Sequence, residues 1–272
     1  MLITELERFI REDIGQDDTS YSILPETWAH FVVITKEDGI LCGLEEAQQV
    51  FDYFGLESNS KLKDGDLLQS GDVIVKICGP VRDILQAERL SLNFLCKMSG
   101  IATLTARCVN LASDVRVACT RKTTPGFREF EKKAVRYGGG DSHRYGLSDA
   151  IMIKENCIAV MTIEEALKAA KKMGSFTKKI EVEVSNSIEM LTAARSGADI
   201  IMFDNMQPDE IVECINTLNN ARLRDHIILE ASGGIVETNI TEYAATGVDV
   251  ISMGSLIHSA RWLDMSLKIT AK

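Results

Sequence analysis

Positive charge is in short supply in this sequence. Its 272 residues hold 30 Lys and Arg against 40 Asp and Glu, for a net charge of −10 and a pI near 5.0. Such a balance argues against a nucleic-acid partner or an anionic membrane surface, since both need clustered basic residues on an exposed face. Paired cysteines are also missing. The seven present (Cys42, Cys78, Cys96, Cys108, Cys119, Cys157, Cys214) are scattered, odd in number and never spaced as C-x-x-C, the pattern of reduced thiols in the cytoplasm. The four histidines (His30, His143, His226, His258) stand far apart without ligand spacing, which excludes a built-in zinc site; any metal is expected to arrive with a substrate. No apolar run is long enough to span a bilayer. The opening residues Met1 to Arg8 mix charge with apolar residues instead of a basic region followed by an apolar run, so no signal peptide is expected.

What is present is apolar material for a sizeable core, 45% of residues, enough for one large domain or a medium one with a smaller one. Leu2, Leu6, Phe9 and Ile10 share one helical face, and Thr4 with Glu7 has capping-box spacing. A polar, turn-rich segment runs from Asp13 to Pro25. Strand-like runs His30 to Ile34 and Ile40 to Cys42 then flank Asp38-Gly39, the signature of a hairpin. A helix is expected from Leu44 to Phe54, followed by short strands bracketed by Asp64-Gly65 and Gly71-Asp72 and ending in Val73 to Ile77. Two helices follow, Val81 to Met98 and Ile101 to Ala112, with Ser99-Gly100 as a break. These residues, 1–113, read as an N-terminal α+β domain with an antiparallel sheet and linking helices.

From Arg116 the rhythm becomes strand then helix, repeated. Candidate strands are 116–120, 149–153, 179–184, 198–203, 226–231 and 248–252, with Thr162–Glu165 and Asn186 as helix caps. Strands alternating with helices in this way imply right-handed βαβ units. The stretch is too short for an eight-stranded barrel of about 250 residues. The fold class is therefore α/β, with residues 114–255 forming an open six-stranded α/β barrel and 256–272 a C-terminal helix returning to the N-terminal domain.

Polar groups cluster at the ends of these strands or just past them: Arg121 and Lys122, Lys154, Glu183, Asp204-Asn205, Ser232-Gly233-Gly234 and Gly254-Ser255. Parallel α/β folds place their sites on that rim. The first of these lie in a basic island. Between Arg116 and Arg144 there are eight Lys or Arg and three acids, a balance of +5 in a chain whose remainder carries −15. A concave basic island in an acidic protein points to an anionic small molecule.

The ordered motifs Thr120-Arg121-Lys122-Thr123-Thr124-Pro125-Gly126, Gly138-Gly139-Gly140-x-x-His143-Arg144, Ile153-Lys154-Glu155-Asn156, Glu181-Val182-Glu183-Val184, Ser232-Gly233-Gly234-Ile235 and Gly247 to Gly254 resemble those of the quinolinate phosphoribosyltransferases. The likeness extends to Glu12-Asp13-Ile14-Gly15, Glu88-Arg89, Asn93-Phe94-Leu95 and Ser99 to Thr103, and so covers nearly the whole chain. It implies a type II phosphoribosyltransferase fold and the conversion of quinolinate and phosphoribosyl pyrophosphate, with Mg2+, to nicotinate mononucleotide, pyrophosphate and carbon dioxide. By the same resemblance Arg121, His143, Arg144 and Lys154 would bind the planar dicarboxylate, joined by Arg89 from the neighbouring subunit of a homodimer. Arg forks and a lysine point charge suit such an anion. Lys122 would lie by the phosphates, Glu183 and Asp204 by the ribose hydroxyls or magnesium, and Ser232, Gly233, Gly234 and Gly254 by the 5′-phosphate at helix starts. Where the family usually has histidine after the I-K-E-N motif, this chain has Cys157.

Plainer readings stand beside these. Arg128, Lys132, Lys133 and Arg136 fall at helical spacing and read as a solvated face, and Glu181 as one half of a structural salt bridge. Asp204-Asn205 could cap a helix, Lys154 could form a Schiff base, and Cys157 could be a nucleophile, although no histidine partner for it can be named. At the level of function, two relatives of the enzyme compete with it: a paralogous phosphoribosyltransferase of the molybdenum-transport-associated type, and a non-catalytic homologue that binds a phosphorylated ligand.

Overall fold

The computed structural model describes residues 1–15 and 22–271. Part of the expected turn-rich segment, 16–21, lies outside the described residues. In chain order the elements are α1 (Ile3–Ile14), β1 (Trp28–Thr35), β2 (Gly39–Ile40), α2 (Leu44–Tyr53), β3 (Glu57–Asn59), β4 (Leu67–Leu68), β5 (Val73–Pro80) and α3 (Val81–Ala112). Then come β6 (Arg116–Ala118), α4 (Arg128–Tyr137), β7 (Ile151–Ile153), α5 (Glu155–Ile158), α6 (Ile163–Met173), β8 (Ile180–Val184) and α7 (Ser187–Arg195). The chain finishes with β9 (Ile200–Asp204), α8 (Pro208–Asn220), β10 (Ile228–Ser232), α9 (Ile240–Ala244), β11 (Val250–Ser252), α10 (Ser255–His258) and β12 (Met265–Ala271). Two compact units result. Unit 1 comprises Met1–Ala106, Arg136–Gly138 and Ala260–Lys272, and unit 2 comprises Arg107–Val135 and Gly139–Ser259.

Unit 1 is built on an antiparallel sheet of order β12-β1-β5-β3. Alternation along β1 buries Ala29, Phe31 and Val33, and Phe31 and Val33 stand opposite Ile77 and Val75 of β5. The expected hairpin across Asp38-Gly39 does not form. β1 pairs with β5 and β12, while β2 pairs with β4, the register being Gly39 with Leu68 and Ile40 with Leu67. Gly39 is required for close approach, because a Cβ there would stand 2.6 Å from Thr103 Oγ1. The Thr4–Glu7 capping box is likewise absent. Leu2 is the N-cap of α1 and Thr4 already lies inside the first turn.

Ser99-Gly100 does not break α3, which runs unbroken as one 32-residue helix. Ser99 Oγ accepts the Cys42 N–H at 2.9 Å and donates to the Cys42 carbonyl at 3.0 Å, so its hydrogen bonding is spent on a neighbouring segment. Gly100 is small because a Cβ would meet the Arg261 carbonyl at 2.1 Å. The C-terminal stretch, expected as a helix, holds a seven-residue strand instead. After the four-residue α10, β12 adds to the edge of β1, with Thr35 opposite Met265 and Phe31 opposite Ile269.

Unit 2 holds a parallel sheet of order β6-β11-β10-β9-β8-β7, in agreement with the six strands expected from the sequence. An isolated parallel bridge from Ala118 to Asp141 extends its β6 edge. The sheet curls. A cavity of about 410 Å³ is lined by residues of β6, β8, β9, β10, β11 and the 141–150 segment, which a flat sheet could not gather. The helix starts follow local chemistry: Thr162 and Glu165 form a full capping box on α6, and Asn186 accepts the Ile188 and Glu189 N–H groups on α7.

Candidate active site

The rim where the parallel strands end collects the expected side chains. Glu183 is the penultimate residue of β8, Asp204 and Ser232 end β9 and β10 opposite one another, and Lys154 follows β7 directly. Lys154 Nζ and the Glu183 carboxylate form an ion pair between these neighbouring strands. Asp204 Oδ2 accepts the Asn205 side-chain N–H at 3.0 Å. Asn205, at φ +56°, sends its own N–H to the Ser232 carbonyl at 2.8 Å. Gly233 follows at φ +98°, and a Cβ there would lie 2.3 Å from Asn205 Oδ1; the turn demands glycine twice over. Gly254 is the N-cap of α10, and a Cβ on it would touch Lys122 Cδ at 3.0 Å, which puts the exposed Lys122 beside the β11 loop.

One expectation about these loops needs correction. Ser232 to Gly234 do not start a helix: α9 begins only at Ile240 and has five residues, and α10 has four. A phosphate there would rely on backbone N–H groups of the loops, without the dipole of a long helix.

The loop after β6 carries Arg121, half-buried, whose Nε is buried with no hydrogen-bond partner among the described residues. A guanidinium N–H left without an acceptor inside the protein is a place for an anion. The loop after α4 carries His143 and Arg144. Asp141 Oδ1 accepts the His143 N–H at 2.7 Å, and this Asx turn carries His143 to φ +51°. Arg144 Nη2 reaches Met152 Sδ at 2.8 Å.

His143 is differently placed from what the motif suggests. Its Nδ1 accepts the Arg144 N–H at 2.8 Å, and its Nε2 faces Glu230 Oε1 at 3.3 Å. Both ring nitrogens are engaged by the protein, so the imidazole organises the loop instead of presenting a free nitrogen to an acceptor. Glu230 also accepts the Ser252 hydroxyl. Glu181 lies against this pair, fully buried, and among the described residues it has no salt bridge of the kind expected for it. Neither of its carboxylate oxygens has a hydrogen-bond partner among the described residues. Burial, followed by the Glu230 charge, pushes its pKa up to about 8, so at neutral pH it holds a proton. For His143 burial pushes the pKa down, but the hydrogen bond and charge of Glu230 outweigh it, and the net shift is upward. A second proton on the ring would displace the Arg144 N–H from Nδ1.

Ligand atoms of His143, Glu181 and Glu230 lie within 4.8 Å of one another, a spacing a metal ion could span. The tautomer argues otherwise. With Nδ1 accepting an N–H, the proton of the neutral ring sits on Nε2 and points at Glu230, so the atom a metal would take is in use as a donor. The cavity reaching Glu181 and Glu230 is lined by Arg116, Ile200, Ile228 and Val250 at strand starts, together with His143 and Arg144.

Sequence reasoning missed the inward face of α4. Arg128, Glu131 and Lys132 follow i, i+3, i+4 spacing and share one face. Glu131 and Lys132 are fully buried, so Lys132 does not belong to a solvated surface. Arg128 donates to Thr123 Oγ1 at 3.1 Å and to the Tyr145 carbonyl at 2.9 Å. Glu131 accepts the Thr124 N–H at 2.9 Å and its hydroxyl at 2.7 Å. Lys132 Nζ reaches Cys119 Sγ at 3.4 Å, the Thr120 carbonyl at 3.3 Å and the Ser142 carbonyl. Burial pushes the Lys132 amine below and the Cys119 thiol above their ordinary values. The signal available in the sequence was Glu131, an acid in a basic run three residues after Arg128 and so on the same helical face. Cys157 lies half-buried on α5 with its N–H on the Lys154 carbonyl at 2.8 Å, and Arg89 is exposed on α3 in unit 1.

Comparisons with known proteins agree with one another. The family profile for the quinolinate phosphoribosyl transferase N-terminal domain matches residues 17–99, and that for the C-terminal domain matches 101–268. The chain is 44% identical over 273 residues to the probable nicotinate-nucleotide pyrophosphorylase (carboxylating) of Methanothermobacter thermautotrophicus, covering 97% of each chain. It is 37% identical over 249 residues to the nicotinate-nucleotide pyrophosphorylase (carboxylating) of Rattus norvegicus, covering 90% of this chain and 83% of the rat protein. Among solved structures, the nicotinate-nucleotide pyrophosphorylase from Francisella tularensis superposes with a TM-score of 0.90 at 36% identity, covering 97% of this chain and 94% of that one.

Proposed function

Because this chain belongs to the quinolinate phosphoribosyltransferase family, we propose that it transfers the phosphoribosyl group of phosphoribosyl pyrophosphate to the ring nitrogen of quinolinate. One carboxylate leaves as carbon dioxide, and the products are nicotinate mononucleotide and pyrophosphate, a step of NAD biosynthesis. The observation that carries this reading is the Lys154–Glu183 pair. An acceptor-side cation and a ribose-side carboxylate meet at one point on the rim, so the two substrates would lie side by side.

Arg121, Arg144 and Lys154 supply the cations for the acceptor carboxylates, and Arg121 offers an N–H that has no other partner among the described residues. Quinolinate would draw Lys154 toward itself and leave Glu183 facing the sugar. Lys122 lies beside Gly254, and together with Ser232, Gly233 and Gly234 these residues would hold the phosphate oxygens. Glu183 and Asp204 stand where positive charge develops on the ribose as pyrophosphate departs, and their carboxylates stabilise it. Attack by the ring nitrogen makes a pyridinium. The C–CO2 bond beside it then breaks, its electron pair remains on the ring carbon next to the cationic nitrogen, and a solvent proton replaces the lost group. Catalysis is mostly positioning and electrostatics.

Glu183 and Asp204, hard oxygen donors on neighbouring strands, fit a magnesium ion that keeps several waters and arrives with the pyrophosphate. Its chemistry is to neutralise charge on the leaving group. Homodimerisation would supply Arg89 from a second copy to the acceptor site. Seven free thiols suit a reducing compartment, the cytoplasm.

The test is nicotinate mononucleotide formation from quinolinate and phosphoribosyl pyrophosphate with magnesium. Wild type should turn over and Lys154→Ala should lose at least a hundredfold in kcat/KM, about 2.7 kcal/mol of transition-state binding. A silent wild type that still binds phosphoribosyl pyrophosphate would mean a different acceptor.

A further inference from the structure

The two cationic loops of the acceptor site are not held by the sheet alone. Arg121 and Lys122 follow β6, whereas His143 and Arg144 come after α4, more than twenty residues later in the chain. Two rigid arginines recognise a planar dicarboxylate only if the separation between them is fixed, because each fork must meet its oxygens in plane. One buried ammonium touches both loops. Lys132 Nζ donates to the carbonyl of Thr120, the residue before Arg121, and to the carbonyl of Ser142, the residue before His143 and Arg144. Among the described residues it also meets Cys119 Sγ and the face of Tyr145, whose ring centroid is 5.3 Å away. Arg128 and Glu131, on the same face, fasten Thr123, Thr124 and Tyr145 farther out.

We propose that Lys132 is a positioning residue for acceptor binding: a buried clamp that sets the distance between the Arg121–Lys122 loop and the His143–Arg144 loop without touching substrate. The inference rests on the quinolinate reading above. A lysine here is costly to bury and is kept by three acceptors from two loops. If its task were only to fill space, methionine would serve in a core position of this size.

The experiment compares wild type, Lys132→Met, Lys132→Gln and Leu218→Ala, the last a truncation of a fully buried side chain on α8. Each is measured for thermal midpoint, for kcat and KM with quinolinate, and for quinolinate binding by calorimetry. Lys132→Met should raise the quinolinate KM and Kd at least tenfold, about 1.4 kcal/mol, with kcat reduced less than threefold. Lys132→Gln, which keeps two N–H donors, should fall between it and wild type. Leu218→Ala should lower the midpoint and leave the KM alone. A folded Lys132→Met with a KM within twofold of wild type overturns the clamp, as does an equal KM shift in Leu218→Ala. Failure of both Lys132 variants to fold also overturns it, by assigning the residue to the fold. A wild type that neither converts nor binds quinolinate overturns the functional reading and the clamp together, whereas normal wild-type turnover with an unchanged Lys132→Met sinks the clamp alone.

Discussion

Glu181 carries its proton because it is buried and lies beside the charge of Glu230, and this gives a pH dependence with a definite sign. Its pKa is about 8 in the fold against an ordinary value of 4.5. Between those values the folded chain holds a proton that the unfolded chain has released, so raising the pH favours unfolding. The contribution is complete below the lower value and gone above the upper one. Stability should therefore fall from roughly pH 5 to pH 8, with a slope approaching about 1.4 kcal/mol per pH unit from this group. Glu181→Gln mimics the protonated acid and should flatten that slope, becoming more stable than wild type at pH 8. Urea titrations at three pH values check this, and parallel slopes in the two proteins would refute it. At this scale the sequence showed types better than environments. Arg121, Lys154, Glu183 and Asp204 could be placed from strand ends alone. Lys132 could not, because four basic residues at helical spacing look like a wet face, and only the loops that fold over α4 reveal that one of them is dry.

Regular elements declared themselves by period, and their interruptions did not. The six parallel strands were readable because short apolar runs alternate with capped helices. Gly39 and Gly100 misled because glycine has two causes, backbone freedom and lack of bulk, and the sequence cannot tell them apart. In both places the second cause operates. Gly100→Ala should destabilise unit 1 by about 1–3 kcal/mol through overpacking against the Arg261 backbone, although alanine is the better helix former. Equilibrium denaturation measures this; an unchanged or raised midpoint would mean that the Arg261 segment yields at little cost.

Across the molecule, Arg89 lies in unit 1, and Arg121, Arg144 and Lys154 lie in unit 2. If Arg89 acts on the site of a second copy, mixing inactive Arg89→Ala with inactive Arg121→Ala should restore up to about a quarter of wild-type activity per site, the statistical share when two copies assort freely into symmetric dimers. Activity that stays at the level of the separate variants after subunit exchange would count against shared sites. The return of residues 256–272 to the first domain was expected, but as a helix; a lone seven-residue run does not reveal that it is a strand with a partner far back in the chain.

That last pairing constrains how the protein is made. The Thr270 hydroxyl bonds to the His30 carbonyl across 240 positions of chain. At about 5–20 residues per second, a ribosome that has released β1 needs roughly 12 to 48 seconds more to deliver its neighbour. Throughout that interval the nascent polypeptide shows a long apolar strand with one side unzipped, open to any passing strand. Unit 2, most of it emerging in between, can finish folding first. The N-terminal sheet is the last part of the protein to close, and its edge is what a cell's chaperones would have to shield.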